Sequence, residues 1–87
     1  MSKPIDPASH PQKVDISLDL TGLKCPLPVL KARRQVGMMD AGTVLEVKAD
    51  DPAAPLDFDH FCETTSNRLL ASETIAGVFH FMIEVGN

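Results

Sequence analysis

Cys25 is followed directly by Pro26, and a second proline, Pro28, comes two positions later. A residue before proline is kept out of the α region, and proline fits the first helical turn because no amide partner is needed there. We therefore predict that Cys25 is the N-cap of a helix whose first residue is Pro26. The sulfur would then lie over the amide groups of Leu27 and Val29, at the positive end of the helix dipole, which favours the reactive thiolate.

Several uses of such a thiol can be compared from the sequence. A free cysteine is often only a small buried side chain, but the flanking prolines favour an accessible position at a junction between loop and helix. A hydrolase-type nucleophile needs a neighbouring base, and no motif places His10, His60 or His80 beside Cys25. A redox pair would carry a second cysteine where Pro28 stands. Attack on the outer sulfur of another protein's persulfide needs only an exposed thiolate, without base, metal or cofactor.

The second cysteine, Cys62, shares the apolar face of a predicted helix with Phe58, Phe61 and Thr65. We predict that it fills the core, and the alternative is a resolving thiol that forms a disulfide with Cys25. Two cysteines this far apart lack the paired spacing of a structural zinc site.

Basic residues concentrate on or beside the first predicted helix. They form either a solvated helix face or a docking patch beside the sulfur that would steer acidic partners. The aspartates near the second predicted helix are interpreted as capping and solubilising groups. The basic residues are Lys24, Lys31, Arg33 and Arg34, and the aspartates are Asp50, Asp51, Asp57 and Asp59.

The chain has 87 residues and a net charge of −4, which fits one small domain and argues against broad contact with nucleic acid. We expect a disordered tail over residues 1–13 and a domain over 14–87. The sequence shows no signal peptide and no apolar run of about 20 residues. We therefore expect a cytoplasmic protein with free thiols and no membrane contact.

Hydrophobic periodicity predicts the elements that must position the cysteine. Apolar and polar residues alternate in the first and last strands, and the second strand is rich in β-branched and apolar residues. An Ala76-Gly77 turn joins the last two strands into a hairpin. Two helices are too few to cover both faces of a sheet. We predict an α+β fold, a two-layer α/β sandwich in the order βαβαββ, with a four-stranded mixed sheet and both helices on one face. The predicted strands are 14–20, 43–49, 69–75 and 78–85, and the predicted helices are 26–38 and one from Asp57 to about Thr65, after a turn at 52–56.

The stretch LDLTGLKCPLPVLK, from Leu18 to Lys31, resembles the signature of the TusA/SirA-like sulfur-carrier proteins, whose hallmark is Cys-Pro-x-Pro. The similarity continues through Asp50-Asp51-Pro52 and the segment from Asp57 to Cys62, and covers about residues 15–85. The sequence departs from that pattern at Ser66-Asn67-Arg68-Leu69 and in the last strand, where His80 and Glu84 replace much of the basic charge of relatives. Because docking surfaces select the partner, these departures bear on which protein accepts the sulfur.

The resemblance implies the βαβαββ sandwich and a persulfide carried on Cys25. It implies a cysteine desulfurase or a rhodanese-like protein as sulfur donor and a downstream relay protein as acceptor, in tRNA thiolation, molybdenum-cofactor maturation or sulfur oxidation. The activity would be that of a sulfurtransferase or carrier rather than a stand-alone enzyme. The sequence leaves two other hypotheses open: a non-catalytic module that binds protein or RNA, and a thiol-redox protein that uses Cys25 and Cys62.

Overall fold

Four strands and two helices follow one another in the order βαβαββ, as predicted. The computed structural model describes residues 14–86, so the tail predicted over 1–13 and the final Asn87 lie outside the described residues. The elements are β1 (Ile16–Asp19), α1 (Leu27–Val36), β2 (Val44–Ala49), α2 (Ala54–Glu63), β3 (Arg68–Ile75) and β4 (Val78–Glu84).

The strands form one mixed sheet in the order β1-β2-β4-β3. β1 and β2 are parallel, as expected of two strands joined through a helix, and the other two pairings are antiparallel. The β3–β4 hairpin turns at Ala76 and Gly77, where both φ angles are positive, 52° and 83°. This geometry belongs to a two-residue hairpin turn, so the turn prediction is confirmed.

One face of the sheet carries the hydrophobic core, and both helices pack on it. Alternate residues of β2 and β4 point to this face, and the helices contribute their own apolar stripes. The Phe58 ring of α2 stacks on Phe81 of β4, with 4.7 Å between the ring centroids. The predicted two-layer sandwich is therefore confirmed. The central core residues are Leu45, Val47, Ala49, Phe81 and Ile83 from the sheet and Ala32, Val36, Phe58 and Phe61 from the helices.

The parallel pairing of β1 and β2 decides where the two helices begin. Parallel strands end at the same edge of a sheet, so the loop that leads to Cys25 and the start of α2 lie at one edge. α2 begins at Ala54, not near Asp57 as predicted, because Pro55 occupies the first helical turn instead of ending a separate turn. Asp57 is therefore a first-turn residue, and His60 lies in the last turn.

The segment after α2 is held by a buried asparagine. Helix α2 ends at Glu63, earlier than predicted, and Asn67 is 6% exposed. Its side chain donates to Thr65 Oγ1 at 3.0 Å and accepts the Gly86 amide hydrogen at 2.9 Å. Asn67 thus ties the connection between α2 and β3 to the C-terminal end of the domain.

Candidate functional site

The loop before Cys25 is tied to the ends of both parallel strands. Asp19 Oδ1 accepts the Thr21 hydroxyl hydrogen at 2.7 Å and the Thr21 amide hydrogen at 3.1 Å. Asp50 Oδ1, at the end of β2, accepts the Gly22 amide hydrogen at 2.9 Å, and Gly22 has a φ of 87°, which favours glycine. The position of Cys25 is therefore set by hydrogen bonds from two neighbouring strand ends.

Helix α1 begins one residue later than the sequence predicts. Its first helical residue is Leu27 and its N-cap is Pro26, so Cys25 lies one residue before the cap. The Leu27 amide hydrogen is bonded to the carbonyl oxygen of Lys24 at 2.8 Å, which closes a turn over the two residues between them. The prediction that Cys25 is the N-cap is wrong, and Leu27 N–H does not support the sulfur. The Cys25–Pro26 peptide bond is cis.

The residues after the cap take different positions on α1. Pro28 is the second helical residue and is buried, while Val29 is half-buried and packs against the core. Both anchor the helix start to the sheet.

The Cys25 thiol is exposed and free, as expected of an accessible nucleophile. A hydrogen bond from the thiol to the Asp57 carboxylate raises the pKa of Cys25, and the negative charges of Asp57 and Asp51 act in the same direction. The expectation that the site favours the thiolate is therefore wrong. Two aspartates at the shared sheet edge stabilise the neutral thiol instead.

Asp57 is a site residue that the sequence analysis had assigned only to capping or solubility. It lies 32 positions after Cys25, so no local spacing links the two. The signal was available in the topology, because parallel β1 and β2 bring the loop before α1 and the first turn of α2 to one edge. Asp51 precedes the N-cap of α2, which is Ala53, and its Oδ2 accepts the Ala53 amide hydrogen at 3.0 Å; no side chain caps α2.

An exposed stripe begins beside Cys25 and follows α1. Leu27 and Leu30 are 44% and 49% exposed and lie one helical turn apart. Lys31 and Arg34 are exposed at helical spacing from these two leucines, so they share the face. We call the set Leu27, Leu30, Lys31 and Arg34 the α1 stripe.

The four residues of the predicted basic patch lie at different distances from Cys25 along the loop and α1. Lys24 is exposed next to Cys25, and Lys31 lies within the α1 stripe. Arg33 and Arg34 lie in the last turn, about 10 Å along the axis from the helix start, where positive charge suits the dipole. The Arg33 guanidinium carbon lies 5.1 Å from the centre of the Phe61 ring on α2, so Arg33 joins the two helices.

Cys62 packs against the core, in agreement with its predicted role, and it is half-buried and free. Burial and the neighbouring Asp59 raise the pKa of Cys62 to about 11. At neutral pH this thiol is almost entirely protonated and is a weak nucleophile.

Neither of the two described histidines is among the groups that shift the pKa of Cys25. His60 is exposed in α2, and His80 pairs with Lys48 and Glu73 in the sheet register, on the face away from the helices. His10 lies outside the described residues. Between Val14 and Gly86, no group of three histidine, cysteine, aspartate or glutamate residues could hold a metal ion. The described helices are also too short to cross a membrane.

Comparison with known proteins places this arrangement in a family. Residues 16–85 match the family model described as sulfurtransferase TusA. The sulfur carrier protein TusA of Allochromatium vinosum is 46% identical over 70 residues, which cover 80% of this chain and 92% of that protein. The crystal structure of a SirA-like protein from Desulfitobacterium hafniense has the same fold, with a TM-score of 0.75 and 24% identity over 84% of this chain and 100% of that one. The chain therefore belongs to the sulfurtransferase TusA family, and this membership supports a sulfur-carrier role.

Proposed function

We propose that the protein carries sulfur between proteins as a persulfide on Cys25. The observation that supports this most strongly is the exposure of a free thiol at the sheet edge where both helices begin. Its loop is fixed by Asp19 and Asp50, so the sulfur is presented at a defined place. The other cysteine is half-buried and strongly protonated, which leaves Cys25 as the reactive thiol.

The reaction that suits this site is exchange of a sulfane sulfur. Cys25 Sγ attacks the outer sulfur of a donor's persulfide, a new S–S bond forms on Cys25, and the donor's S–S bond breaks. The donor's inner sulfur leaves with the electron pair and becomes a thiol. A donor persulfide and one thiol give one thiol and a Cys25 persulfide, so the exchange needs no external oxidant or reductant.

The surroundings of Cys25 favour protein partners as donor and acceptor. The α1 stripe offers apolar area next to positive charge, and Lys24 adds charge beside the sulfur. A partner with an apolar surface rimmed by carboxylates complements this face. We propose a cysteine desulfurase or a rhodanese-like protein as donor and a relay protein with an acceptor cysteine downstream.

Transfer of radioactive sulfur from a cysteine desulfurase supplied with labelled cysteine tests the proposal. The native protein and Cys62→Ala should take up label that is released by a reductant, and Cys25→Ala should take up none. Lys24→Glu should load more slowly without change in fold, because it reverses charge beside the sulfur. Uptake by Cys25→Ala equal to that of the native protein would show that another residue carries the sulfur.

A further inference from the structure

We propose that two copies of this chain associate through the helix layer, on its outer side away from the sheet, with α1 of each copy against α2 of the other. The two helices carry opposite charges on that side, and both carry exposed leucine at the end near Cys25. The face is therefore complementary to a second copy of itself. The association does not depend on the carrier function, and only its effect on sulfur transfer rests on that proposal.

The outer face of α1 is apolar and basic. The α1 stripe lies opposite the residues of the helix that pack on the sheet, and its charges are those of Lys31 and Arg34. Arg33, the remaining base of the helix, lies over the Phe61 ring. No aspartate or glutamate occurs in α1, so nothing on the helix offsets the positive charge of the stripe.

The outer face of α2 carries the opposite charge. Leu56, Asp59 and Glu63 are exposed, and their spacing of three and four residues places them on one side of the helix, away from the sheet. We call these three residues the α2 row. No lysine or arginine occurs in α2, so the row is apolar at its start and acidic along the rest of its length.

The two helices run in the same direction, which restricts how two copies can fit. β1 is parallel to β2, and β2 and β3 are parallel to each other because both pair antiparallel with β4. Each helix connects two of these three parallel strands, so each runs back across the sheet against the strand direction. Both helices therefore begin at the edge where Cys25 lies.

A two-fold axis parallel to the helices places α1 of each copy on α2 of the other and keeps every residue at its level along the helix. At a rise of about 1.5 Å per residue, Lys31 and Asp59 lie about 6 and 7.5 Å from the first residues of their helices, and Arg34 and Glu63 about 10.5 and 13.5 Å. Each base of the stripe thus meets an acid of the row. An axis across the helices would instead place α1 on α1 and bring like charges together.

The exposed leucines meet at the end of this interface that lies beside the thiols. Leu27 and Leu30 are 44% and 49% exposed at the start of α1, and Leu56 is 74% exposed in the first turn of α2. In the dimer the two leucines of one copy pack on Leu56 of the other, so that apolar burial stabilises the contact while the charge pairs set its orientation. Because Cys25 comes two residues before Leu27, association covers surface beside both thiols.

A second copy and a sulfur donor then compete for the same face. If the protein is a sulfur carrier, sulfur uptake per chain should slow as the concentration of the carrier rises, because a larger share of the α1 stripe is covered. Sedimentation measures the association without any sulfur donor, so failure of the dimer and failure of the carrier function are distinguished.

The experiment is sedimentation equilibrium of the full chain with a reductant present. The α1 variant carries Lys31→Glu and Arg34→Glu, and the α2 variant carries Asp59→Lys and Glu63→Lys. Glu73→Lys is the control, a charge reversal on an exposed residue of β3 on the sheet face away from the helices. All the changes are at exposed positions, and circular dichroism checks that each variant is folded.

We expect the mass of the native protein to rise from 9.4 kDa toward twice that value between about 10 μM and about 1 mM, as in a transient contact. Each variant alone should associate at least about tenfold more weakly, because its charge pairs become repulsive, and Glu73→Lys should behave as the native protein does. An equimolar mixture of the two variants should recover the association, because the reversed α1 of one meets the reversed α2 of the other.

Two results would overturn the proposal. The first is a mixture that associates no better than the separate variants, which would show that α1 does not face α2. The second is a native protein that stays at the mass of one chain at about 1 mM. If both variants of such a monomer accepted sulfur more slowly from a cysteine desulfurase, the face would belong to the donor and not to a second copy.

Discussion

Replacement of Phe58 by alanine tests whether the core holds α2, and with it Asp57, at the sulfur site. The Phe58 ring is fully buried, stacks on Phe81 at 4.7 Å and meets Phe61 edge to face at 6.5 Å. Truncation of such a ring costs about 3–5 kcal/mol, because it leaves a cavity and removes aromatic contacts. A domain of 87 residues has a total stability of about 4–13 kcal/mol, so the loss takes a large share of it.

Urea unfolding followed by circular dichroism measures this loss, since the chain has no tryptophan or tyrosine for fluorescence. With a slope of about 1.5 kcal/mol per molar urea, the midpoint should fall by about 2–3 M. Leu56→Ala is the control, because Leu56 lies in the same helix turn and is 74% exposed, and it should change stability by less than about 0.5 kcal/mol. A loss of under about 1 kcal/mol for Phe58→Ala would refute the inference that this ring anchors α2.

Three further predictions concern the loop, the C-terminal end and the second thiol. Hydrogen bonds from the Thr21 hydroxyl and amide hold the pKa of Asp19 below its usual value, so they stabilise the fold when the pH is above the usual pKa and lose this effect as the pH falls through the lowered pKa. Thr21→Val should therefore destabilise the protein at pH 7 and have little effect at pH 2. Equal losses of stability in urea unfolding at both pH values would contradict this. Gly86→Ala should lower stability by about 1–3 kcal/mol in thermal unfolding, because its Cβ would overlap the Ser66 carbonyl oxygen, and an unchanged midpoint would argue against this close approach. Because the pKa of Cys62 is about 11, about one in a thousand Cys62 thiols is ionised at pH 8. Peptide mapping after brief alkylation should therefore find the label mainly on Cys25. Equal labelling of both cysteines would be inconsistent with the raised pKa of Cys62.

The sequence correctly predicted the sheet and the exposed position of Cys25. Alternation of apolar residues and a run of β-branched and apolar residues predicted the strands, and Ala76-Gly77 marked the hairpin because a two-residue turn needs positive φ angles. The start of α2 was missed because Pro55 was interpreted as part of a turn. Proline is also common in the first turn of a helix, and the residues around Pro55 gave no signal to distinguish a helix start from a separate turn.

The electrostatics of the site could not be obtained from local sequence. The proline pattern around Cys25 suggested an amide-rich, thiolate-favouring position, but the Leu27 amide hydrogen is bonded to the Lys24 carbonyl oxygen, and the Asp57 carboxylate raises the pKa of the Cys25 thiol. That contact depends on how two helices start at one sheet edge, which is a property of the tertiary structure. The contact of Arg33 with the Phe61 ring also depends on the tertiary structure. The sequence alone indicated only that Arg33 is one of several neighbouring basic residues.

The most direct test of the central proposal is to locate the sulfane sulfur on the loaded protein. The native protein, loaded by a cysteine desulfurase and digested under non-reducing conditions, is mapped by mass spectrometry for a gain of about 32 Da, the mass of one sulfur atom. We predict the added mass on the peptide that contains Cys25, lost on treatment with a reductant and absent from the peptide that contains Cys62. Added sulfur on Cys62, or none on Cys25 with an active desulfurase present, would contradict the proposal.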